Sequence, residues 1–165
     1  MTAAWVLGAL PAAAQIGDSN APVDITADSA EVINSQCVAI WSGSAEAMQG
    51  QSRLRAERIK VYSQRRGGSC GPTQRIEAEG QVFYVTPTQT ARGDAAVYDQ
   101  GADTIVITGN VIIVQGRNVA RGDRLTIRVS TRQATMESSA RGRGAANRVR
   151  GVFFPGSGGG LGIAQ

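Results

Sequence analysis

The feature that most restricts this chain is a spaced repeat. Three similar elements, Ala56-Glu57-Arg58-Ile59, Gly93-Asp94-Ala95-Ala96 and Gly122-Asp123-Arg124-Leu125, each begin 13 residues after a glycine, respectively Gly43, Gly80 and Gly109. An earlier copy, Ala27-Asp28-Ser29-Ala30, starts 16 residues before Gly43, just as Gly93 stands 16 before Gly109. In the middle copy the interval from Ala56 to Gly80 is 24, because "SQRRGGSCGPTQ" is inserted there. Intervals of 13 and 16 give a unit of about 29 residues, and a unit that short cannot bury an apolar face alone. The copies must stack side by side.

Within each unit the hydrophobic period is two. Leu125, Ile127 and Val129 fall on one side with Thr126 and Arg128 on the other, and Ile59 and Val61 oppose Lys60. Such alternation predicts strands with one buried face. The blocks "VFYV" and "VIIV" are apolar on both faces, which calls for cover on both sides or a greasy partner. Turn residues separate the runs: "NSQ" at 34–36, "QGQ" at 49–51, "RRGGSCGP" at 65–72, "PTQ" at 87–89, "DQGAD" at 99–103, "QGRN" at 115–118 and "STRQ" at 130–133. The expected class is therefore all-β, an antiparallel sandwich or jelly roll built from repeated hairpins. In an up-and-down order the first and third turns share an end. Cys37 and Cys70 then come within reach of a disulfide, which fits an oxidising compartment if they pair.

Length and composition narrow the function. A chain of 165 residues suits one domain with a core. It has no histidine, so the usual general base, the triad imidazole and the commonest zinc ligand are missing. Glu77 and Glu79 share a strand face, an arrangement common to solvated carboxylates. Lys60 follows "RAERI" and not a glycine loop, so no phosphate-binding lysine motif exists. The reading is a non-enzyme without metal or cofactor, and any energy for uphill work must come from a partner. Sixteen arginines against one lysine, at net charge +4, favour phosphate or carboxylate contact or reflect codon preference.

The ends are read separately. "MTAAWVLGALPAAA" at 1–14 has the apolar run and small-residue close of a truncated signal peptide, which implies export. The repeat domain then occupies 15–139. From 140 to 165 the alternation stops, and this Arg/Gly-rich tail is expected to be flexible, with Phe153 and Phe154 available to dock. Its RGR pattern lacks the interleaved aromatics of a nucleic-acid binder, and no nucleic-acid partner is expected.

"GDSNAPVDITADSAEV" from Gly17, "ITGNVIIVQG" from Ile107 and "ARGDRLTIRV" from Ala120 resemble the OstA-like, or LptA-type, family of periplasmic lipopolysaccharide-transport proteins. The resemblance runs from about Gly17 to Glu137; the cysteine-bearing insertion and the Arg-rich tail depart from it. It implies a jelly roll whose two layers splay into an open-ended V around an apolar groove for acyl chains of lipopolysaccharide. It also implies head-to-tail self-association, and joining to inner-membrane LptC-like and outer-membrane LptD-like jelly-roll partners, by strand addition in the periplasm. One joining edge is expected around Val23 and Ile25, and the other around Ala134 to Met136.

Candidate lipid contacts are the apolar residues in register with the repeat glycines: Trp41 and Ile107 at minus two, Val82 and Val111 at plus two, Tyr84 and Ile113 at plus four, Ile59 and Leu125 at plus sixteen, and Val61, Tyr98 and Ile127 at plus eighteen. Val23, Ile25 and Tyr98 also match groove positions of the family. Each either lines the groove or packs the core, since both share one face. Arg92, Arg121 and Arg124 are candidates to meet lipid phosphates at a groove mouth. Gly109 is read as a bulge or close-packing site, and Asp123 as a turn carboxylate bonding to backbone. The rival to a lipid conduit is a secreted structural β-repeat protein with no open groove.

Overall fold

The structure, a computed structural model, describes residues 21–131 and 133–155. The leader, Gly17–Asn20, Arg132 and the last ten residues lie outside them. All regular elements among the described residues are strands: β1 (Val23–Thr26), β2 (Ser29–Ile33), β3 (Val38–Gln49), β4 (Ser52–Arg66), β5 (Ser69–Val85), β6 (Thr90–Asp99), β7 (Thr104–Gln115), β8 (Asn118–Arg128), β9 (Gln133–Glu137) and β10 (Arg150–Val152). They form one antiparallel sheet in which β3 to β8 follow chain order. At one edge β1 and β2 both lie along β3, and at the other β9 and β10 both lie along β8. Chain reversals stand at the turn segments named above, where glycine, asparagine or proline interrupts the apolar alternation in all but "STRQ".

The glycine repeat is a crease across this sheet. Registers slip between Ser42 and Ala45 on β3, Glu79 and Val82 on β5, and Thr108 and Val111 on β7. At those points Gly43, Gly80 and Gly109 have φ of 85°, 82° and 79°, and Ser44, Gln81 and Asn110 follow at 45°, 48° and 48°. Two successive left-handed residues turn a strand through a corner, as bulges do. The acidic residue of the repeat element sits against each corner: a Cβ on Gly109 would lie 2.3 Å from Asp94 Oδ2, and one on Gly43 2.4 Å from Asp28 Oδ2. Asp94 also accepts a hydrogen bond from Asn110 Nδ2 at 3.2 Å. The spacings of 13 and 16 are thus the path along each hairpin from corner to corner.

Each long strand therefore contributes one half to each of two layers. Layer A holds β1, the second halves of β3, β5 and β7, the first halves of β4, β6 and β8, and β10; layer B holds the complementary halves with β2 and β9. Inward residues of layer A are mostly small, among them Ala45, Ala47, Ala56, Ala91 and Ala120, while layer B brings Ile59, Ile76, Ile107, Leu125 and Ile127 into the same cluster. Large side chains against small ones let the layers close to interior density. At Gly93 a Cβ would stand 2.5 Å from Ile107 Cγ2, so the close approach there requires glycine. The architecture is an all-β jelly-roll arrangement, folded from one creased sheet that stays open at both edges.

The insertion in the middle copy lengthens the β4–β5 hairpin, which pairs Arg65 with Cys70 beyond the main sheet. Cys70 is there bonded to Cys37 of the β2–β3 turn, with Cα atoms 5.4 Å apart. Within the tail, expected from its composition to be flexible, the described residues include strand β10. Arg150, Gly151 and Val152 pair with Arg121, Ala120 and Val119, and Phe154 N–H donates to Asn118 Oδ1 at 3.0 Å. The free edge of β8 supplies the backbone partners that composition does not reveal. Of the two expectations for the doubly apolar blocks, cover on both sides does not hold: Val82, Val111 and Ile113 point inward, whereas Phe83, Ile112 and Val114 face outward with no second layer over them among the described residues.

Candidate functional site

Between the layers, over strands β4 to β7, lies a narrow apolar cleft of about 30 Å³, partly open to solvent. Its lining comprises Leu54 and Tyr84 from layer A, and Ile76, Ala78, Ala96, Tyr98, Ile105 and Ile107 from layer B. No charged side chain contributes. The cleft is a consequence of alternation: every second residue of four adjacent strands points inward, and here the opposing side chains do not meet completely. Tyr98 sits where β6 nears the 99–103 turn, and its hydroxyl is held above the usual phenol range, first by burial and then by the negative charges of Asp103 and Asp99. It stays neutral at physiological pH, a polar group on an otherwise apolar wall. Such a site suits alkyl chains and offers no acid, base or nucleophile for a reaction.

Of the expected contacts, Tyr84, Tyr98 and Ile107 line this cleft. Ile59, Val82, Val111, Ile113, Leu125 and Ile127 are buried in the core that continues from it, and Val23, Ile25, Trp41 and Val61 pack against that core partly buried. Five lining residues are not among the contacts expected from the sequence: Leu54, Ile76, Ala78, Ala96 and Ile105. Ile76 and Ile105 each stand four before a corner glycine, and Ala96 occupies the plus-sixteen position shared by Ile59 and Leu125. The register held the signal, but alanine carries too little apolar area to be conspicuous.

Polar candidates are accounted for by local partners. Glu77 binds Arg75 at 2.7 Å and accepts from Tyr62 Oη at 3.0 Å, and Glu79 meets Lys60 at 3.4 Å. This is a charge ladder on an outer face. Asp123 accepts from Ser139 N at 2.9 Å and lies within reach of the Ser138 and Ser139 hydroxyls, so its carboxylate is committed to a corner. No cluster of three or more metal-ligating side chains occurs among the described residues. Arg92 and Arg121 alternate with the inward Ala91 and Ala120 and therefore point away from the cleft, as does Arg124 beside inward Leu125.

With this geometry established, comparison places the chain. Residues 24–133 match the LptD_N family model, described as LptA/(LptD N-terminal domain) LPS transport protein. The chain belongs to the LptD_N family. An uncharacterized protein of Rhizobium meliloti (strain 1021) is 29% identical over 122 residues, covering 71% of this chain and 66% of that protein. The LPS-assembly protein LptD of Salmonella paratyphi A is 28% identical over 126 residues, covering 75% of this chain. The chain spans only 16% of that LptD. In three dimensions it resembles LptH of Pseudomonas aeruginosa, described as the LptA homologous periplasmic component of the conserved lipopolysaccharide transport device. The TM-score is 0.69 at 18% identity, covering 84% of this chain and 99% of that one. An LptD_N domain thus coincides with the creased ladder, and the match ends at the start of β9.

Proposed function

We propose that this protein carries lipopolysaccharide through the periplasm, sheltering acyl chains in the cleft between its layers and passing the lipid from the inner toward the outer membrane. The observation that carries this reading is the wholly uncharged lining around Tyr98 and Ile107. Each acyl CH₂ taken out of water is worth about 0.8 kcal/mol, so a multi-chain lipid needs a continuous apolar path to cross an aqueous compartment. One domain shelters a short stretch of that path, and assembly would extend it. The outer sides of β1–β2 and β9–β10 pair with nothing among the described residues. Head-to-tail joining to further copies, or to LptC-like and LptD-like partners, would use these edges by strand addition. The role is non-enzymatic.

The test replaces Tyr98 with a photo-crosslinking residue in cells that make lipopolysaccharide. A lipid adduct at Tyr98, absent when the same residue stands at exposed Arg128, is expected. Folded, exported protein that gives no adduct at Tyr98 or Val23, and a monomer that binds no fluorescent lipid, would favour the structural β-repeat reading instead.

A further inference from the structure

The two outer faces of the sheet differ in charge. On layer B, basic residues alternate with acids, as in the ladder of Lys60, Arg75, Glu77 and Glu79. On layer A the cross-strand register sets Arg92 beside Ile112, Ile112 beside Arg121, and Arg121 beside Arg150. The adjoining row runs Val114, Val119, Val152. Directly opposed residues of an antiparallel pair share a face, so these side chains form one basic and apolar surface. Glu46 lies far along this face and is engaged by Arg53 and Arg55 at 3.3 and 3.2 Å. Among the described residues no ion pair involves Arg92, Arg121 or Arg150.

Two further observations point to what covers it. Like charges set directly opposite on neighbouring strands destabilise a sheet, yet Arg121 and Arg150 are paired in this way. An anion from outside would relieve the pairing. Charge along the chain agrees: four of the 17 basic residues and none of the 13 acidic ones lie after Glu137, which leaves thirteen of each up to and including it. The tail that supplies β10 therefore carries the whole formal charge of +4. It also carries exposed apolar groups, with Val149 44%, Val152 41% and Phe153 54% exposed. The Phe153 ring lies over Gly151 on the inner side that Gly151 shares with its partner Ala120, while Phe154 is stacked by Arg117 at 4.1 Å. Aromatic and aliphatic side chains held at the surface among unpaired arginines match an interface that is anionic outside and apolar beneath.

We propose that the outer face of layer A, completed by β10 and Phe154, is a docking surface for a lipid bilayer bearing anionic phosphate headgroups. Docking in this way leaves the cleft and both sheet edges unobstructed, and it stands apart from what the cleft carries. The tail folds back onto β8 and adds Arg150 to the arginines already on the face.

The test is flotation of the full chain with vesicles of phosphatidylglycerol and phosphatidylcholine, against vesicles of phosphatidylcholine alone. The wild-type chain is expected to float with the first and not the second, and to be released at 0.5 M salt (roughly a 4 Å screening length). Arg121→Gln with Arg150→Gln should weaken binding roughly thirtyfold, given the worth of each basic residue at an anionic surface. Arg65→Gln with Arg66→Gln removes equal charge from the disulfide-bearing hairpin and should change it less than threefold (roughly the spread of surface effects). Equal losses from the two pairs, or flotation indifferent to headgroup charge and salt, would overturn the proposal. So would tail-dependent retention on single-stranded RNA or an acidic polypeptide with no vesicle binding. The headgroup and salt arms use the wild-type chain and do not depend on a variant folding.

Discussion

The two edges of the sheet solve the same corner differently. At the N-terminal edge, β1 passes to β2 along β3 through only Ala27 and Asp28, and Asp28 N–H donates to Gly43 O at 3.0 Å. At the C-terminal edge, β9 and β10 lie along β8 in the same way, but the chain loops out from 138 to 149 between them. Ser138 stands as far after Asp123 as Gly43 after Asp28 and Gly109 after Asp94. Neither Ser138 nor Ser139 takes a positive φ. The lesson is that the acid marks the crease and the glycine serves the strand. Where a strand must continue through the corner, two left-handed residues are needed; where it leaves the sheet, serines satisfy the carboxylate without them.

Covalent bonding separates the edges most. The Cys37–Cys70 bridge closes 33 residues of chain and pins the turn that presents β2, and nothing comparable among the described residues holds β9. Replacing both cysteines by serine should cost roughly 3 to 4 kcal/mol in the chain-entropy account. Urea unfolding reads the loss, and amide exchange should quicken around Ile33 to Val38 before it does in β9. A cost below about 1 kcal/mol, or equal exchange at both edges, removes covalent pinning as a difference between them. Gly43→Ala comes next. Its Cβ would fall 2.4 Å from Asp28 Oδ2 at φ 85°, which should cost about 2 to 3 kcal/mol by thermal unfolding. Ser138→Ala, which removes one hydroxyl near Asp123 and the Asn147 carbonyl, should cost about 1 kcal/mol. If the serine change proves the costlier of the two, the corner rule stated above is wrong.

The ladder itself was legible because strand alternation and turn chemistry act locally: each "QG", "GG" or "GRN" stands between apolar runs that cannot continue through it. The repeat even located the crease, since Ala56 and Ile59 both point inward and the odd interval between them records the slip. What the sequence withheld was the conformation that makes the corner. Ser44 and Gln81 take left-handed φ only because the glycine before each has already turned the strand, and neither residue type announces it. Strand β10 was hidden for another reason. Three residues, Arg150 to Val152, carry no period, and their pairing is imposed by the open edge of β8. In the cleft, the aromatic and isoleucine positions at Tyr84, Tyr98 and Ile107 stood out, while Ala78 and Ala96 line it through geometry that composition does not express.

The smallest expected difference is in acid. The backbone N–H of Ser139 first, and then the hydroxyls of Ser138 and Ser139, hold the Asp123 carboxyl below its ordinary value of 3.8. A carboxylate with a depressed folded pKa contributes stability that is complete above the unfolded value and is lost as pH falls through the folded one. The serine corner should therefore hold unchanged from pH 7 to about 5, and weaken only below about 4. Asp123 is solvent-exposed, so the effect belongs to local order and not to global unfolding. The comparison to make is amide exchange at Ser139 in the wild-type chain and in Asp123→Asn, followed from pH 6 to pH 2.5 after correction for intrinsic rates (roughly the range spanning carboxylate titration). Protection in the wild type should fall toward that of the variant as the carboxylate takes up its proton. Wild-type protection that stays constant to the acid end would mean that charge at Asp123 does not hold this corner, and that the two edges differ only in their backbone.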